Sequence, residues 1–139
     1  MIDDTGQNRP VTQRIRYIRY QSPVADPRGR YIGVFGLVNM LAKRGRLTAE
    51  QERFRRANND WYDAAYPDPA VVDPLVYDGG HHPLAAAWFK STATELTARV
   101  PGYLTILAAH GVGCVRLEAT DPPGRVIYED EYQIVVVPE

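Results

Sequence analysis

The spacing of apolar and polar residues changes twice along this chain. Residues 13–20 alternate arginine with β-branched and aromatic residues, which predicts a strand with one face in water. Apolar residues then recur three and four positions apart, and this period predicts helices at 31–43, 49–65, 84–99 and 103–110. Near the C-terminus alternation returns. It predicts a strand at 114–119 and, at 125–137, either one long strand or a hairpin that breaks near Glu129 and Asp130.

Local signals refine the middle of the chain. Thr48 and Gln51 have the spacing of a capping box, which predicts the start of the helix at 49–65. Its expected core stripe is Phe54, Ala57, Trp61 and Ala65. Prolines after Tyr66 predict a long loop over 66–82. We expect four apolar residues to anchor that loop on the body of the protein: Val71, Val72, Leu75 and Val76.

The order of strand, helices and strands predicts an α+β fold. We expect residues 1–139 to form a single domain in which the N-terminal strand joins a C-terminal antiparallel sheet of three to four strands. Three to four helices should pack against that sheet. Residues 1–12 could form a disordered N-terminal arm.

Composition narrows the class of protein. Leu, Ile, Val and Phe make up 33 of 139 residues and the net charge is −1, so the chain should fold without metal or disulfide. Cys114 is the single cysteine, which favours a reducing, cytoplasmic location. The chain has no apolar run long enough to span a membrane, and we expect no membrane association. Fourteen of the 16 basic residues are arginine, which suggests a GC-rich bacterial genome.

Charge is distributed unevenly between the two halves. Residues 1–60 carry 12 Lys and Arg against 6 Asp and Glu, whereas residues 61–139 carry 4 against 11. The halves could neutralise each other across the fold or across a homodimer interface, or the basic half could face a polyanion such as nucleic acid. The candidate anion-binding residues are Arg14, Arg16, Arg19, Arg28 and Arg30.

The richest segment for function runs from residue 59 to residue 83. It combines aromatic rings, aspartates and two adjacent histidines in a Pro-rich loop, and such loops often carry function. The candidate binding residues form two clusters. One cluster, at the end of the helix at 49–65, is Tyr62, Asp63, Tyr66 and Asp68. The other, before the helix expected at 84–99, is Tyr77, Asp78, His81 and His82.

Three further constellations could carry chemistry. His81, His82 and Asp78 offer metal-ligand types, but adjacent histidines diverge and no HxxxH, HxH or HxxE spacing is present, so we predict no metal and no cofactor. Cys114 lies four residues after His110, although an apolar strand there favours a buried thiol.

Glu129 and Glu131 would share one face of a strand, where a carboxylate pair can act as acid and base or bind a ribose hydroxyl. This resembles the Glu-x-Glu of mono-ADP-ribosyltransferases, which also use an Arg on an early strand and a Ser/Thr motif on a middle strand. An early Arg is available in Arg14, Arg16 or Arg19. Ser91 and Thr92, however, fall in a helical pattern rather than on a strand.

Together these patterns favour a small protein that acts by binding a macromolecular partner, through the aromatic and acidic loop and the basic N-terminal half. The partner would be another protein or a second copy of this chain, with nucleic acid less favoured. Two alternatives stay open. One is a small enzyme with acid and base groups in residues 61–82, metal-assisted or ADP-ribosyltransferase-like. The other is a single-stranded nucleic-acid binder that stacks bases on the tyrosines of the first strand.

Overall fold

The sheet is antiparallel and takes strands from both ends of the chain. A computed structural model describes residues 14–139, so the arm expected over residues 1–12 lies outside the described residues. The strands are β1 Tyr17–Gln21, β2 Ala86–Lys90, β3 Val115–Ala119, β4 Arg125–Glu129 and β5 Gln133–Val137. Their order in the sheet is β3-β1-β2-β5-β4, with every neighbouring pair antiparallel. The predicted α+β class and the joining of the N-terminal strand to the C-terminal sheet are therefore confirmed.

Helices connect the strands. They are α1 Val34–Lys43, α2 Ala49–Ala65, α3 Pro69–Val72, α4 Thr94–Ala98 and α5 Val100–Ala109. Helix α2 begins at the predicted capping box: the Thr48 hydroxyl accepts the backbone N–H of Gln51 at 3.1 Å, and the side-chain Oε1 of Gln51 accepts the backbone N–H of Thr48 at 2.9 Å. Two backbone donors that a helix start leaves without partners are thereby satisfied.

The main core lies between one face of the sheet and the pair α1 and α5. Its buried members are Val34, Val38, Leu41, Val100, Tyr103, Ile106 and Leu107. Tyr20 from β1 and Phe89 from β2 pack against this cluster from the sheet. On the opposite face Trp88, Ile134 and Val136 form a second buried cluster. Both faces of the central strands are therefore covered, as the apolar run of β5 requires.

The helix predicted at 84–99 is wrong. Strand β2 occupies its first half, and α4 begins only at Thr94. The run of alanines before Trp88 favours a helix, but as a strand this segment pairs with β1 on one side and β5 on the other. The strand also buries Trp88 on one face of the sheet while Phe89 packs on the other. Tertiary packing therefore outweighs the helix propensity of the segment.

Two smaller predictions about the helices are also wrong. Val100-Pro101-Gly102, which the predicted helices at 84–99 and 103–110 left as a gap, instead forms the first turn of α5, where a proline loses no helical hydrogen bond. In α2 the expected core residues Ala57 and Ala65 are exposed. Near the C-terminal end of α2 the side chain that packs against the core is that of Tyr62.

Gly102 offers a test of the packing between α2 and α5. A β-carbon at this position would lie 2.5 Å from Cε2 of Phe54, whose ring packs edge-on against Tyr103 at 5.3 Å between centroids. We expect Gly102→Ala to lower the free energy of unfolding by about 1–2 kcal/mol in urea denaturation, because the overpacking cost exceeds the gain in helix propensity.

Gly79→Ala is the matched control, because nothing lies within 4 Å of its added β-carbon. The control should leave the urea midpoint nearly unchanged. Equal midpoints for Gly102→Ala and the native protein would show that Phe54 does not pack closely on α5.

Candidate functional site

Arg19 lies in a fork of the sheet. Strands β1 and β2 pair only at Tyr17 with Lys90 and at Ile18 with Phe89, and beyond this point they separate. The half-buried Arg19 guanidinium donates to the Ala87 carbonyl at 2.9 Å and to the Tyr31 carbonyl at 2.7 Å. Burial lowers the pKa of this guanidinium below its usual value. Arg19 therefore satisfies backbone carbonyls that lack strand partners, and it ties β2 to the segment before α1.

A cleft of about 380 Å³ opens between the C-terminal end of α2 and the sheet. All four residues of the first predicted cluster line it: Tyr62, Asp63, Tyr66 and Asp68. The remaining walls come from Phe35, Asn39, Asn59, Pro67, Pro69, Phe89, Leu96 and Gln133. The cleft thus joins residues of α1, α2, the following loop and the sheet, which only the folded chain brings together.

The aromatic walls of this cleft are fixed by contacts behind them. The Tyr62 hydroxyl donates to the Leu96 carbonyl, and its ring packs edge-on against Phe35 at 4.9 Å between centroids. Burial raises the pKa of Tyr62, which stays a neutral donor at physiological pH. Tyr66 packs edge-on against Tyr132 at 4.5 Å. Both tyrosines are therefore held in place, although the cleft itself is open.

Gln133 closes the cleft from the sheet side. Its side-chain amide donates to the Pro67 carbonyl at 3.1 Å and to Oδ2 of Asp130 at 3.3 Å. Asp130 in turn accepts the backbone N–H groups of Tyr132 at 2.8 Å and Gln133 at 3.0 Å, in the turn between β4 and β5. Nothing in the sequence pattern singled out Gln133, because an isolated glutamine before an apolar strand has no distinctive spacing.

The second predicted cluster does not join the first cleft. Tyr77 lines a different cleft, of about 220 Å³, together with Arg19 and Gly33. Burial raises the pKa of Tyr77 to about 12. Asp78 and His81 form an exposed pair in which Nδ1 of His81 lies 2.6 Å from Oδ2 of Asp78. This pair lines neither cleft, and the ring of His82 lies 6.4 Å from that of His81.

The aspartates of the loop shape its backbone. The carboxylate of Asp68 accepts the Ala70 N–H at 2.9 Å, that of Asp73 accepts the Leu75 N–H at 3.1 Å, and that of Asp78 accepts the Gly80 N–H at 3.1 Å. Each bond joins a side chain to the backbone two residues later, which is the geometry of an Asx turn. Three consecutive turns of this kind give the segment between α2 and β2 a defined path.

Most of the apolar residues of this loop do not anchor it, contrary to expectation. Val76 is fully buried and Pro69 is buried, but Val71 is 77% exposed, Val72 64% and Leu75 50%. The loop is therefore held by two buried residues and by its Asx turns. The other apolar side chains face solvent on a segment whose backbone is hydrogen-bonded.

The candidate anion-binding arginines have varied surroundings. Arg14 and Arg28 are exposed. Arg16 pairs with Glu118 of β3 at 2.8 Å, and Arg30 pairs with Asp26 at 2.9 Å. With Arg19 in the sheet fork, three of the five candidates already bind groups within the protein.

One end of the sheet gathers residues that the sequence left apart. Ser91 and Thr92, expected in a helix, directly follow β2 instead. The backbone N–H of Arg16 donates to the Ser91 hydroxyl at 2.9 Å, and the backbone N–H of Ser91 donates to the backbone carbonyl of Arg16 at 2.8 Å. Thr92 and Glu131 line a cleft of about 240 Å³ at this end.

Glu129, by contrast, accepts a hydrogen bond at its Oε2 from Nζ of the buried Lys90, at 2.6 Å. The two glutamates of the Glu-x-Glu pair therefore have different surroundings, because the turn before β5 separates them. Glu131 lies on the open cleft, whereas Glu129 is engaged by a cation of β2.

Other candidate chemistry finds little support among residues 14–139. In this range no group of three or more His, Cys, Asp and Glu side chains could hold a metal ion. Nε2 of His110 lies 2.9 Å from Oε1 of Gln51. Burial raises the pKa of the Cys114 thiol, which disfavours a reactive thiolate. Over the same residues no helix has both the length and the apolar character needed to cross a membrane.

Comparison of the chain with family models, with curated proteins and with solved structures finds no match. The geometry of the site itself is therefore the basis for any functional inference.

The role of Arg19 can be tested by removing its guanidinium. Arg19→Leu would leave the carbonyls of Ala87 and Tyr31 without their donor, and we expect it to lower the free energy of unfolding by about 2–3 kcal/mol in urea denaturation. Arg16→Leu, one residue before the same strand, removes only an exposed ion pair and should cost about 0–1 kcal/mol. Equal losses for the two variants would contradict a structural role for Arg19.

Proposed function

We propose that this protein binds another protein through residues 66–84, which lie in the segment between α2 and β2. The observation that carries the proposal is the exposure of Val71, Val72 and Leu75 on a loop whose backbone path is defined by its own hydrogen bonds. Exposed apolar residues grouped in this way are a feature of protein interaction sites, because water leaves them when a partner covers them.

An ordered loop is well suited to this role. A segment that already has its bound shape loses less conformational entropy when it associates, so more of the free energy of burial appears as affinity. Val76 and Pro69 hold the loop on the body, while the Asx turns at Asp68 and Asp73 fix the backbone that bears the exposed valines. The exposed side chains are therefore presented on a scaffold rather than on a free tail.

The basic N-terminal half supports binding less strongly. Three of its five candidate arginines contact carboxylates or carbonyls of the protein, and pairing of this kind reduces the charge available to nucleic acid. Arg14 and Arg28 are exposed, and a polyanion would have to rely on them among the five candidates. We therefore assign the interaction to the loop.

The proposal predicts the effect of making the loop polar. In affinity purification from the native host followed by mass spectrometry, the double variant Val71→Ser/Val72→Ser should lose the protein that copurifies with the native chain. Its thermal stability should hardly change, because both valines are exposed. Sedimentation velocity of the purified protein shows whether the lost partner is a second copy of the chain.

Val24→Ser is the control, because Val24 is 69% exposed on a different loop. This variant should keep the partner. Retention of the same partner by the double variant, or its loss by both variants, would contradict the assignment of the interface to this loop.

A second candidate function is transfer of ADP-ribose from NAD. One observation favours it: Arg16, Ser91 and Glu131 lie at the same end of the sheet, next to β1, after β2 and before β5. The Ser/Thr pair directly follows the middle strand β2, whereas the Glu-x-Glu enzymes carry their Ser/Thr motif on a middle strand. Two hydrogen bonds join the backbone of Arg16 to Ser91, while the Arg16 guanidinium pairs with Glu118.

The chemistry assigns a role to Glu131 in this alternative. The bond between the nicotinamide nitrogen and the ribose breaks, nicotinamide leaves with the electron pair, and positive charge develops on the ribose ring. A carboxylate near the ribose stabilises that charge and can accept a hydroxyl proton. The oxygen of water or of an acceptor then bonds to the ribose carbon and releases its proton. Glu131 lines an open cleft beside Thr92, whereas Glu129 is bonded to Lys90.

Release of nicotinamide from NAD, followed by chromatography, tests this alternative. Activity in the native protein should fall by about 10²-fold or more in Glu131→Gln, because general acid-base groups contribute on this scale. Asp121→Asn, which removes a charge in the turn before β4, should leave the rate unchanged. Absence of nicotinamide release by the native protein would remove this candidate.

A further inference from the structure

The 380 Å³ cleft combines aromatic walls with negative charge. Phe35, Tyr62, Tyr66 and Phe89 line it together with the carboxylates of Asp63 and Asp68. Among the described residues, 14–139, no Lys, Arg or His side chain lines this cleft. Its volume is within the range of small-ligand pockets. The aromatic walls therefore suit a planar or slender ligand, and the carboxylates suit one with a positive charge.

The end of α2 adds to this negative charge. Asp63 lies in the last turn of a 17-residue helix, where the carbonyl groups carry the negative end of the helix dipole. A carboxylate is disfavoured at this end, and the last turn of α2 contains no basic residue. A cation bound in the cleft would relieve this repulsion.

Arg99 lies near this end of the helix, and its side chain is engaged elsewhere. Its guanidinium carbon lies 3.7 Å from the centre of the Trp61 ring, and its Nη1 donates to Asn58 at 3.0 Å. Arg99 is not part of the cleft wall. Its stacking on Trp61 illustrates, within the same protein, how a guanidinium packs on an aromatic ring beside α2.

We propose that this cleft is a pocket for a cationic side chain, arginine or lysine, of the protein that binds residues 66–84. The inference rests on the proposed function, because the partner supplies the side chain. Asp68 and Pro69 line the cleft, and the exposed Val71 follows them within one helical turn. The cleft and the apolar loop therefore belong to adjoining surface, and the partner segment should carry a basic residue next to apolar ones.

The chemistry of the pocket predicts a preference for charge over shape. A guanidinium can stack on Tyr62 or Tyr66 while it pairs with the carboxylate of Asp63, and desolvation between rings strengthens both interactions. Citrulline has nearly the shape of arginine but no charge. It should therefore lose most of the affinity.

The test uses the full chain and a small probe, the blocked tripeptide acetyl-Gly-Arg-Gly-amide, in an NMR titration of backbone amides. Binding should shift the amides of Tyr62, Asp63 and Tyr66 at millimolar probe, and the citrulline peptide should bind at least about tenfold more weakly. Asp63→Asn should weaken arginine binding about tenfold, equivalent to about 1.4 kcal/mol. Asp121→Asn, with the same change of charge at a residue that does not line the cleft, should bind the probe like the native protein.

Equal binding of the two peptides, an unchanged dissociation constant in Asp63→Asn, or absence of shifts at the cleft would overturn the inference. The probe contains no apolar side chain, so Val71→Ser/Val72→Ser should bind it normally. Probe binding by a double variant that also keeps its partner would refute the proposed interface but support the pocket. Loss of the partner in that variant, without probe binding by the native protein, would refute the pocket and support the interface.

Discussion

The fold depends on the Arg19 side chain, which occupies the gap where strands β1 and β2 separate. These two strands pair over only two residue positions, and an open fork in the middle of a sheet would leave the half-buried Ala87 carbonyl without its donor. Arg19 supplies the donors and joins the fork to the segment before α1. Gly33 lies close to the guanidinium, where an added β-carbon would be 3.4 Å from Nη2, and it forms an isolated bridge with Gln21. The direction of α1, and with it the wall of the cleft formed by Phe35, therefore depends on a charged side chain within the sheet.

Helix α2 joins helices α1 and α5 through polar as well as aromatic contacts. The Tyr103 hydroxyl donates to Asn59 at 2.7 Å, and Asn59 donates to Asn39 of α1 at 3.2 Å. Phe35 contacts both Tyr62 and Tyr103 edge-on. Hydrogen bonds and aromatic edges require specific geometry, whereas aliphatic contacts tolerate sliding. The cleft at the end of α2 is therefore lined by residues that also set the position of the helix.

The sequence predicts much of the fold because local signals and packing agree there. The capping box at Thr48 marks the start of α2, and the break near Asp130 is the turn of the β4–β5 hairpin. Prediction failed at β2, where alanines indicate a helix but strand pairs on both sides decide the structure. Four of the twelve residues that line the cleft, Tyr62, Asp63, Tyr66 and Asp68, already formed one candidate cluster in the sequence, because they are close along the chain. Its remaining walls, such as Gln133, come from distant segments and leave no local pattern.

The Asx turns of the loop between α2 and β2 have a consequence for how this protein could change over time. Asp68, Asp73 and Asp78 specify the backbone path through bonds to their own neighbours, and the buried Pro69 and Val76 hold it on the body, so the path does not depend on positions 71, 72 and 75. Positions 71, 72 and 75 contribute little to folding, because their side chains are exposed. Substitutions there can accumulate without loss of the native state. The backbone conformation of the loop can therefore stay the same while the exposed side chains at these positions change. Related chains could in this way acquire different binding specificities on the same scaffold.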